Sequence, residues 1–286
     1  MARQEVIAVI FDFDDTLAPD TTTMLLREHG IDTDLFWGEE VRALVERGYD
    51  QAVAWLTLVA EYAREGGPLE GLSTERLAEF GARVDDLFYP GLPGLLDDLE
   101  NAVAGIRDVH VEFSIISGGL RELLEGSRLV RQRFAGVYAS QLGEDPATGR
   151  LTRLKRVITF TEKTRYLFEI NKGILPAAAL VNPYLVNEEV KAADRRVPFE
   201  NMIYVGDGLT DIPCFSLLKA SGGTPFGVFD PAREESAKRA FLKFLQPERV
   251  VGMHAAKYGP TDELGALIRT AVQAKATDAT VRRAQA

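Results

Sequence analysis

Four aspartates follow directly on a short apolar stretch near the beginning of the chain. Residues 6–11 are all apolar, and Asp12, Asp14, Asp15 and Asp20 come next. Each ionised carboxylate in such a cluster raises the cost of ionising its neighbours. Asp12 and Asp14 are two residues apart, so their side chains face the same way in an extended chain. A bound divalent cation would turn this repulsion into coordination, and the pair is therefore a candidate metal site.

Three later stretches carry further groups that could do chemistry. In chain order they are Ser117-Gly118-Gly119, Lys163, and Asp207 with Asp211 in the segment GDGLTD. The serine, the glycine amides and the start of the following helix predict an anion site, and Lys163 adds a fixed positive charge. Asp207 can join Asp12 and Asp14 around Mg²⁺, which takes one or two carboxylates and keeps waters for a substrate phosphate. A cation, an anion site, a lysine and a spare carboxylate are the parts that phosphoryl transfer needs.

The elements that must position these groups predict an α/β fold. Apolar runs of strand length recur at 6–11, 110–117, 201–207 and 224–229, and helical patterns at 91–103, 120–128 and 161–173 alternate with them. Such runs are typical of strands covered on both faces, as in a doubly wound parallel sheet. Ligands bind at the carboxyl ends of the strands in these sheets, where the polar groups named above lie.

A helical insertion interrupts this alternation after the first strand. Residues 20–88 contain helical patterns and no strong strand, which predicts a cap domain at 20–88 and a core domain made of 1–19 and 89–286. Residues 137–154 are predicted to form two short strands around a turn. The small, polar tail beyond Ala274 is expected to fray.

Composition narrows the classes of partner. The chain has 286 residues, a formal charge of −10 and one cysteine, Cys214. An acidic chain without a basic cluster argues against nucleic-acid and anionic-membrane partners. A single cysteine excludes an internal disulfide, and the first residues lack the pattern of a signal peptide, so we expect a cytoplasmic protein.

Four motifs in order resemble those of the haloacid dehalogenase (HAD) superfamily, specifically its phosphatases. They are DFDDT, ISGG, Lys163 and GDGLTD, spread over residues 12–211. The insertion resembles the helical cap of the first cap class of that superfamily. The glycine pair and the 137–154 hairpin resemble the phosphoserine-phosphatase-like members.

The resemblance implies a role for each site residue. Asp12 would be the nucleophile that forms an aspartyl-phosphate, and Asp14 the general acid and then the base. Ser117 and Lys163 would hold the phosphoryl group, next to the amides of Gly118 and Gly119. For the metal, the resemblance implies Mg²⁺ bound by Asp12, Asp207 and the backbone carbonyl of Asp14, with Asp211 in support. The implied activity is hydrolysis of a small phosphorylated metabolite.

Some assignments stay open at this point. Lys155 and Lys172 compete with Lys163, which is favoured because Thr161 is placed to cap its helix. Asp211 could also cap the helix that follows it, and Asp15, which many relatives replace by glycine, is expected to point away from the metal. A phosphotransferase or mutase, or a non-catalytic protein that binds a phosphorylated ligand, remains possible. Dehalogenation is disfavoured, since it needs no proton donor at the position of Asp14.

The substrate is left open by the sequence. The insertion offers five arginines for an anionic group and four aromatic residues that are expected to be core: Arg27, Arg42, Arg47, Arg64 and Arg83, and Phe36, Trp37, Trp55 and Tyr62.

Overall fold

A seven-stranded sheet forms the centre of the molecule. The computed structural model describes residues 5–231 and 233–285. The strands are β1 (Glu5–Phe11), β2 (Val109–Leu120), β3 (Phe134–Glu144), β4 (Leu151–Arg156), β5 (Met202–Gly206), β6 (Thr224–Phe229) and β7 (Gly252–Ala255). Their order is β4-β3-β2-β1-β5-β6-β7, and every neighbouring pair is parallel except β3 and β4. The predicted parallel α/β sheet is confirmed, with the antiparallel hairpin at its edge.

Helices surround this sheet. They are α1 (Thr21–Glu28), α2 (Thr33–Leu35), α3 (Arg42–Glu46), α4 (Gln51–Tyr62), α5 (Thr74–Ala82), α6 (Gly94–Val103), α7 (Arg121–Leu124), α8 (Arg128–Arg133), α9 (Glu162–Lys172), α10 (Pro176–Val181), α11 (Ile212–Ala220), α12 (Glu234–Ala240) and α13 (Glu263–Gln285). Two π-helical stretches, Phe36–Val41 and Phe241–Leu245, and five short 3₁₀ helices complete the described elements: Arg83–Asp86, Leu185–Asn187, Ala192–Asp194, Phe199–Asn201 and Leu209–Asp211. Within the described part of the chain, none of these helices has both the length and the apolar character needed to cross a membrane.

The alternation of side chains along β1 shows that the sheet is covered on both faces. Ile7, Val9 and Phe11 belong to one buried apolar cluster, and their neighbours Val6 and Ile10 belong to another. Helices α6 and α13 pack on the first side, whereas α9 and α11 pack on the second. Burial on both faces explains why β1 is a continuous apolar run rather than an alternating one.

Between β1 and α6, all the described regular elements are helices, from α1 to the 3₁₀ helix Arg83–Asp86. Its apolar residues share one continuous cluster with the sheet. Helix α5 touches the core backbone, since a Cβ at Gly81 would lie 1.8 Å from the carbonyl oxygen of Leu123. The insertion is therefore anchored firmly on this side.

Two local expectations were wrong. The expected helix at 120–128 is instead the end of β2 followed by the four-residue α7 and, from Arg128, by α8. The tail does not fray after Ala274, because α13 runs on to Gln285 with Ala276 and Ala279 buried. These small side chains let the helix approach the sheet closely, which a composition argument alone overlooks.

Candidate active site

The ends of three adjacent strands bring the acidic residues together. Strand β1 lies between β2 and β5, with Phe11 opposite Ile115 on one side and Val205 on the other. Asp12 follows β1, Ser117 lies near the end of β2, and Asp207 follows β5. The carboxyl edge of the sheet is therefore where these side chains meet, as the strand pattern predicts.

Lys163 lies at the centre of this edge, below the surface. It is 1% exposed, and its Nζ lies 2.8 Å from Asp12 Oδ2 and 2.7 Å from Asp211 Oδ1. Burial would lower the pKa of Lys163, but the two carboxylates outweigh it and hold the pKa well above its ordinary value. Lys163 therefore stays a buried cation that fixes the orientation of Asp12.

The two competing lysines are elsewhere. Lys155 is exposed on β4, and Lys172 donates to the backbone carbonyls of Val186 and Glu188. Thr161 occupies the N-cap position of α9 but makes no capping hydrogen bond with its side chain. The capping argument for Lys163 was therefore wrong, although the structure places this lysine beside Asp12.

Asp211 is completely buried, and both of its carboxylate oxygens have partners. Besides Lys163, Tyr204 donates to Oδ1 at 2.7 Å, and the Gly208 amide donates to Oδ2 at 2.9 Å. Asp211 occupies the N-cap position of α11, as suggested, but its side chain makes no capping hydrogen bond there. Gly206 makes room for it, because a Cβ there would lie 2.5 Å from Asp211 Oδ2. Asp211 thus holds Lys163 in place rather than facing the solvent.

Three buried carboxylates form a group that fits a divalent cation. Oxygens of Asp12, Asp207 and Asp211 lie within 4.8 Å of one another. Burial and mutual repulsion raise the pKa of Asp12 to about 7 and that of Asp207 well above its ordinary value. Lys163 neutralises one charge, and Arg239 reaches Asp207 Oδ2 at 3.2 Å from a partly exposed position. The hard oxygen donors and the remaining negative charge suit Mg²⁺.

The side chain of Asp14 is not part of this group. Its Oδ1 accepts hydrogen bonds from the amide and the hydroxyl of Thr21, at 2.8 Å and 2.6 Å. Burial, and then repulsion from Asp20, raise the pKa of Asp14 to about 8. A carboxyl group that keeps its proton at neutral pH can act as a general acid.

Ser117, Gly118 and Gly119 line the cavity and lie at the end of β2, as predicted. The expected longer helix after them is only the four-residue α7, which begins at Arg121. The Gly119 amide donates to Ser117 Oγ at 3.0 Å. An anion site here would rest on Ser117, the neighbouring amides and Lys163, without a helix N-terminus.

Asp15 lies on the rim of the cavity. It has a positive φ of 55° and forms an ion pair with Arg233 at 2.6 Å. Its carboxylate is thus neutralised by a core arginine, and it is not one of the three carboxylates that cluster around Asp12.

A cavity of about 210 Å³ opens above these residues. One side of the cavity is formed by residues at the edge of the sheet and the other side by the insertion. The lining residues are Asp12, Asp14, Asp15, Asp20, Thr22, Trp37, Trp55, Ser117, Gly118, Gly119, Asp207, Gly208 and Thr210. Phe36 and Trp55 are buried in the core cluster as expected, and Trp37 and Tyr62 pack against it. Trp37 and Trp55 also line the cavity, which was not expected. Sequence spacing could not reveal this, because it depends on how the insertion docks on the core.

The five arginines proposed for an anionic group are not in the cavity lining. All five are exposed, and Arg42 and Arg83 form ion pairs with Glu46 and Glu28. None of these five candidates therefore contributes to the wall of this cavity.

Comparisons with known proteins agree with this geometry. Residues 9–216 match the family model of the haloacid dehalogenase-like hydrolases. An uncharacterized protein of Borreliella burgdorferi is 30% identical over 238 residues, which cover 76% of this chain and 79% of that protein.

A solved structure shows the same fold. A HAD family hydrolase of Salmonella enterica serovar Typhi aligns with a TM-score of 0.53 and 18% identity, over 87% of this chain and 67% of the other. A probable phosphoserine phosphatase of Vibrio cholerae aligns over 97% and 67% with 14% identity, but its TM-score of 0.45 is too low to bear on function. On the family match, which covers most of the chain, this protein belongs to the haloacid dehalogenase-like hydrolases.

Proposed function

We propose that this hydrolase is a Mg²⁺-dependent phosphatase that cleaves a small phosphomonoester through an aspartyl-phosphate. The observation that carries the proposal is the different setting of two neighbouring carboxylates. Asp12 is bound by Lys163 beside Asp207, whereas Asp14 is bound by Thr21 and repelled by Asp20. The ion pair with Lys163 favours the ionised form of Asp12 for attack. Asp14 receives only neutral hydrogen-bond donors from Thr21, and we assign to it the proton for the leaving group.

In the first step, the Asp12 carboxylate attacks phosphorus and a P–O bond to Asp12 forms. The P–O bond to the leaving alcohol breaks, and Asp14 gives its proton to that oxygen. Ser117 lines the cavity and binds an oxygen of the transferring group. Lys163 lies beneath the cavity, keeps Asp12 aimed at phosphorus, and is proposed to bind a second oxygen of that group.

In the second step, Asp14 takes a proton from a water molecule, which attacks the phosphorus of the aspartyl-phosphate. The bond to Asp12 breaks, inorganic phosphate leaves, and Asp12 is again a carboxylate. Asp12, Asp207 and the backbone carbonyl of Asp14 would hold Mg²⁺, which supplies positive charge for the phosphoryl oxygens when bound. Asp211 acts through Lys163.

Residues 20–88 are proposed as a cap domain of the first class on a core made of 1–19 and 89–286. Support comes from the position of the helical insertion directly after β1 and from the two tryptophans that it places over the site. The hairpin of β3 and β4 supports a place near the phosphoserine-phosphatase-like members.

Trapping the intermediate tests the mechanism. Asp14→Asn should still be phosphorylated by p-nitrophenyl phosphate, whose leaving group needs no proton, but should hydrolyse the intermediate slowly. Mass spectrometry should find one added phosphate on the peptide that contains Asp12. Phosphate on another residue, or on an Asp12→Asn protein, would contradict the mechanism. Transfer to added alcohols in preference to water would instead identify a phosphotransferase.

Metal dependence is tested separately. EDTA should abolish phosphate release and Mg²⁺ should restore it. Mg²⁺ should also raise the unfolding temperature of the wild type, because it binds only the folded site. Asp207→Asn should lose that response and be more stable than the wild type without metal, because one repelling carboxylate is gone. Full activity in EDTA would refute the Mg²⁺ proposal.

A further inference from the structure

The side of the cavity that faces the leaving group is built from aromatic and acidic residues. Trp37, Trp55, Asp20 and Thr22 contribute it, all from the insertion. Asp20 lies near Asp14, since both line the cavity and the amide of Thr21, the next residue after Asp20, donates to Asp14 Oδ1. Asp14 is the proposed proton donor to the leaving oxygen, so the rest of the leaving group extends towards Asp20 and the two tryptophans.

This wall is held in place by a chain of hydrogen bonds. Trp37 Nε1 donates to Thr23 Oγ1 at 2.9 Å, and Thr23 Oγ1 lies 2.6 Å from Asp20 Oδ2. The Thr23 amide also donates to Asp20 Oδ1 at 2.8 Å, which caps α1. The orientation of Trp37 is therefore fixed relative to the Asp20 carboxylate.

The two indole rings form an angled pair. Their centroids are 6.2 Å apart and their planes make an angle of 57°. Phe36 supports Trp37 edge-on at 4.9 Å, and Trp55 is only 8% exposed. Tilted aromatic faces beside a carboxylate are suited to an organic cation, because the face of each ring carries partial negative charge.

Positive charge is missing from the same wall. The described lining residues include no lysine, arginine or histidine. The nearby arginines belong to the core side and are engaged there, Arg233 with Asp15 and Arg239 with Asp207. An anionic leaving group would be repelled by Asp20, and no basic group among the described lining residues would offset that repulsion, whereas a cationic group would be attracted.

We propose that the substrate is the phosphate ester of an amino alcohol, with its ammonium group bound in the cavity against the wall formed by Trp37, Trp55 and Asp20. The inference rests on the proposed phosphatase function and adds the substrate class. Primary and quaternary ammonium groups share the required chemistry. The wall should also favour the phosphate ester of an amino alcohol over that of an amino acid. Asp20 would repel the carboxylate of phosphoserine, and the described lining residues offer no basic group to bind it.

Matched substrates test the proposal. The probes are O-phosphoethanolamine, phosphocholine, phosphoserine, a nucleoside monophosphate and the uncharged carbon isostere of phosphocholine, in which a tert-butyl group replaces the trimethylammonium. The value of kcat/KM for one of the two ammonium esters should exceed that of the isostere by about tenfold or more, since the isostere keeps the shape but lacks the cation–π and charge-assisted contacts. Phosphoserine should be poorer than O-phosphoethanolamine.

Each failure has its own meaning. If p-nitrophenyl phosphate is not hydrolysed with any divalent metal, the proposed function is overturned and the substrate class with it. If p-nitrophenyl phosphate is hydrolysed but kcat/KM for the isostere, for phosphoserine or for the nucleotide equals that for the ammonium esters, only the substrate class is overturned.

Variants locate the ammonium site. Asp20→Asn keeps a good N-cap residue for α1 but removes the charge, so the ratio of kcat/KM for phosphocholine to that for its isostere should fall about tenfold. Asp50→Asn is the matched control, because Asp50 caps α4 in the same way and is exposed outside the cavity. Trp37→Leu should lower the same ratio. An unchanged ratio in the Asp20 and Trp37 variants would overturn the proposal.

Discussion

The Asp14 carboxylate lies against the backbone of Gly119, so closely that a Cβ at residue 119 would be 2.7 Å from Asp14 Oδ2. Because Thr21 holds the other oxygen of Asp14 with two hydrogen bonds, the carboxylate cannot turn away freely. Asp14, the proposed proton donor, can therefore occupy this position only because residue 119 has no side chain.

Gly119→Ala should displace Asp14 and reduce kcat/KM for an alkyl phosphate by about 10²-fold, since small misplacements of a catalytic group cost that much. The loss should be smaller with p-nitrophenyl phosphate, which leaves without a proton. Steady-state kinetics with both esters measure the difference.

A double-mutant cycle supplies the control. If Gly119→Ala acts through Asp14, adding it to Asp14→Asn should cost little more than Asp14→Asn alone. Fully additive losses would show that the glycine acts on some other group.

Lys163→Met should abolish phosphatase activity and lower the free energy of unfolding by about 3–5 kcal/mol at neutral pH, because it leaves the buried carboxylates of Asp12 and Asp211 without their shared cation. Phosphate release and urea denaturation measure the two effects. Lys155→Met is the control, since Lys155 is exposed, and should change neither. Loss of activity in Lys155→Met with an active Lys163→Met would reverse the assignment.

The strand ends were the predictable part of the site. Apolar runs that stop at Asp12 and Asp207 place both residues at the carboxyl edge of a parallel sheet, because strand pairing fixes that edge. The motif order indicated Lys163 although Thr161 does not cap its helix. Local sequence pattern and motif order are thus sufficient to predict the position of a site residue that lies at the end of a core strand.

The wall formed by the insertion was not predictable in the same way. Trp37 and Trp55 have the spacing of core residues, and which face of the insertion meets the cavity depends on distant backbone contacts such as that of Gly81 with Leu123. The buried Ala276 in α13 is a similar case, since small residues indicate close packing only when the partner surface is known. The sequence pattern does not show how segments that are distant in the chain pack against each other.

Gly81→Ala should therefore lower the free energy of unfolding by about 1–3 kcal/mol or more, because the added methyl group would push α5 away from the Leu123 carbonyl. Urea denaturation measures the change. Gly94→Ala is the control, since a Cβ there meets nothing within 4 Å and alanine is the better helix former. A neutral Gly81→Ala would show that the insertion is not anchored at this contact.

Lys275 should make stability depend on pH in the alkaline range. It is buried in α13 and donates to the Glu200 carbonyl, and burial lowers its pKa to about 8. In the unfolded chain a lysine titrates near 10.4. Between these values the unfolded chain holds a proton that the folded chain has lost, so the contribution of Lys275 to the free energy of unfolding rises with pH, by at most about 1.4 kcal/mol per pH unit. Below about pH 8 both states are charged, and the full cost of the buried charge remains.

Lys275→Met removes that cost, so the variant should gain stability over the wild type near pH 7.5, and the gain should shrink steadily towards about pH 10. Urea denaturation at constant ionic strength measures the difference at each pH, with the exposed Lys155→Met variant as the control that should show no such trend. A gap between Lys275→Met and the wild type that stays constant with pH would mean that Lys275 titrates alike in the folded and unfolded chains.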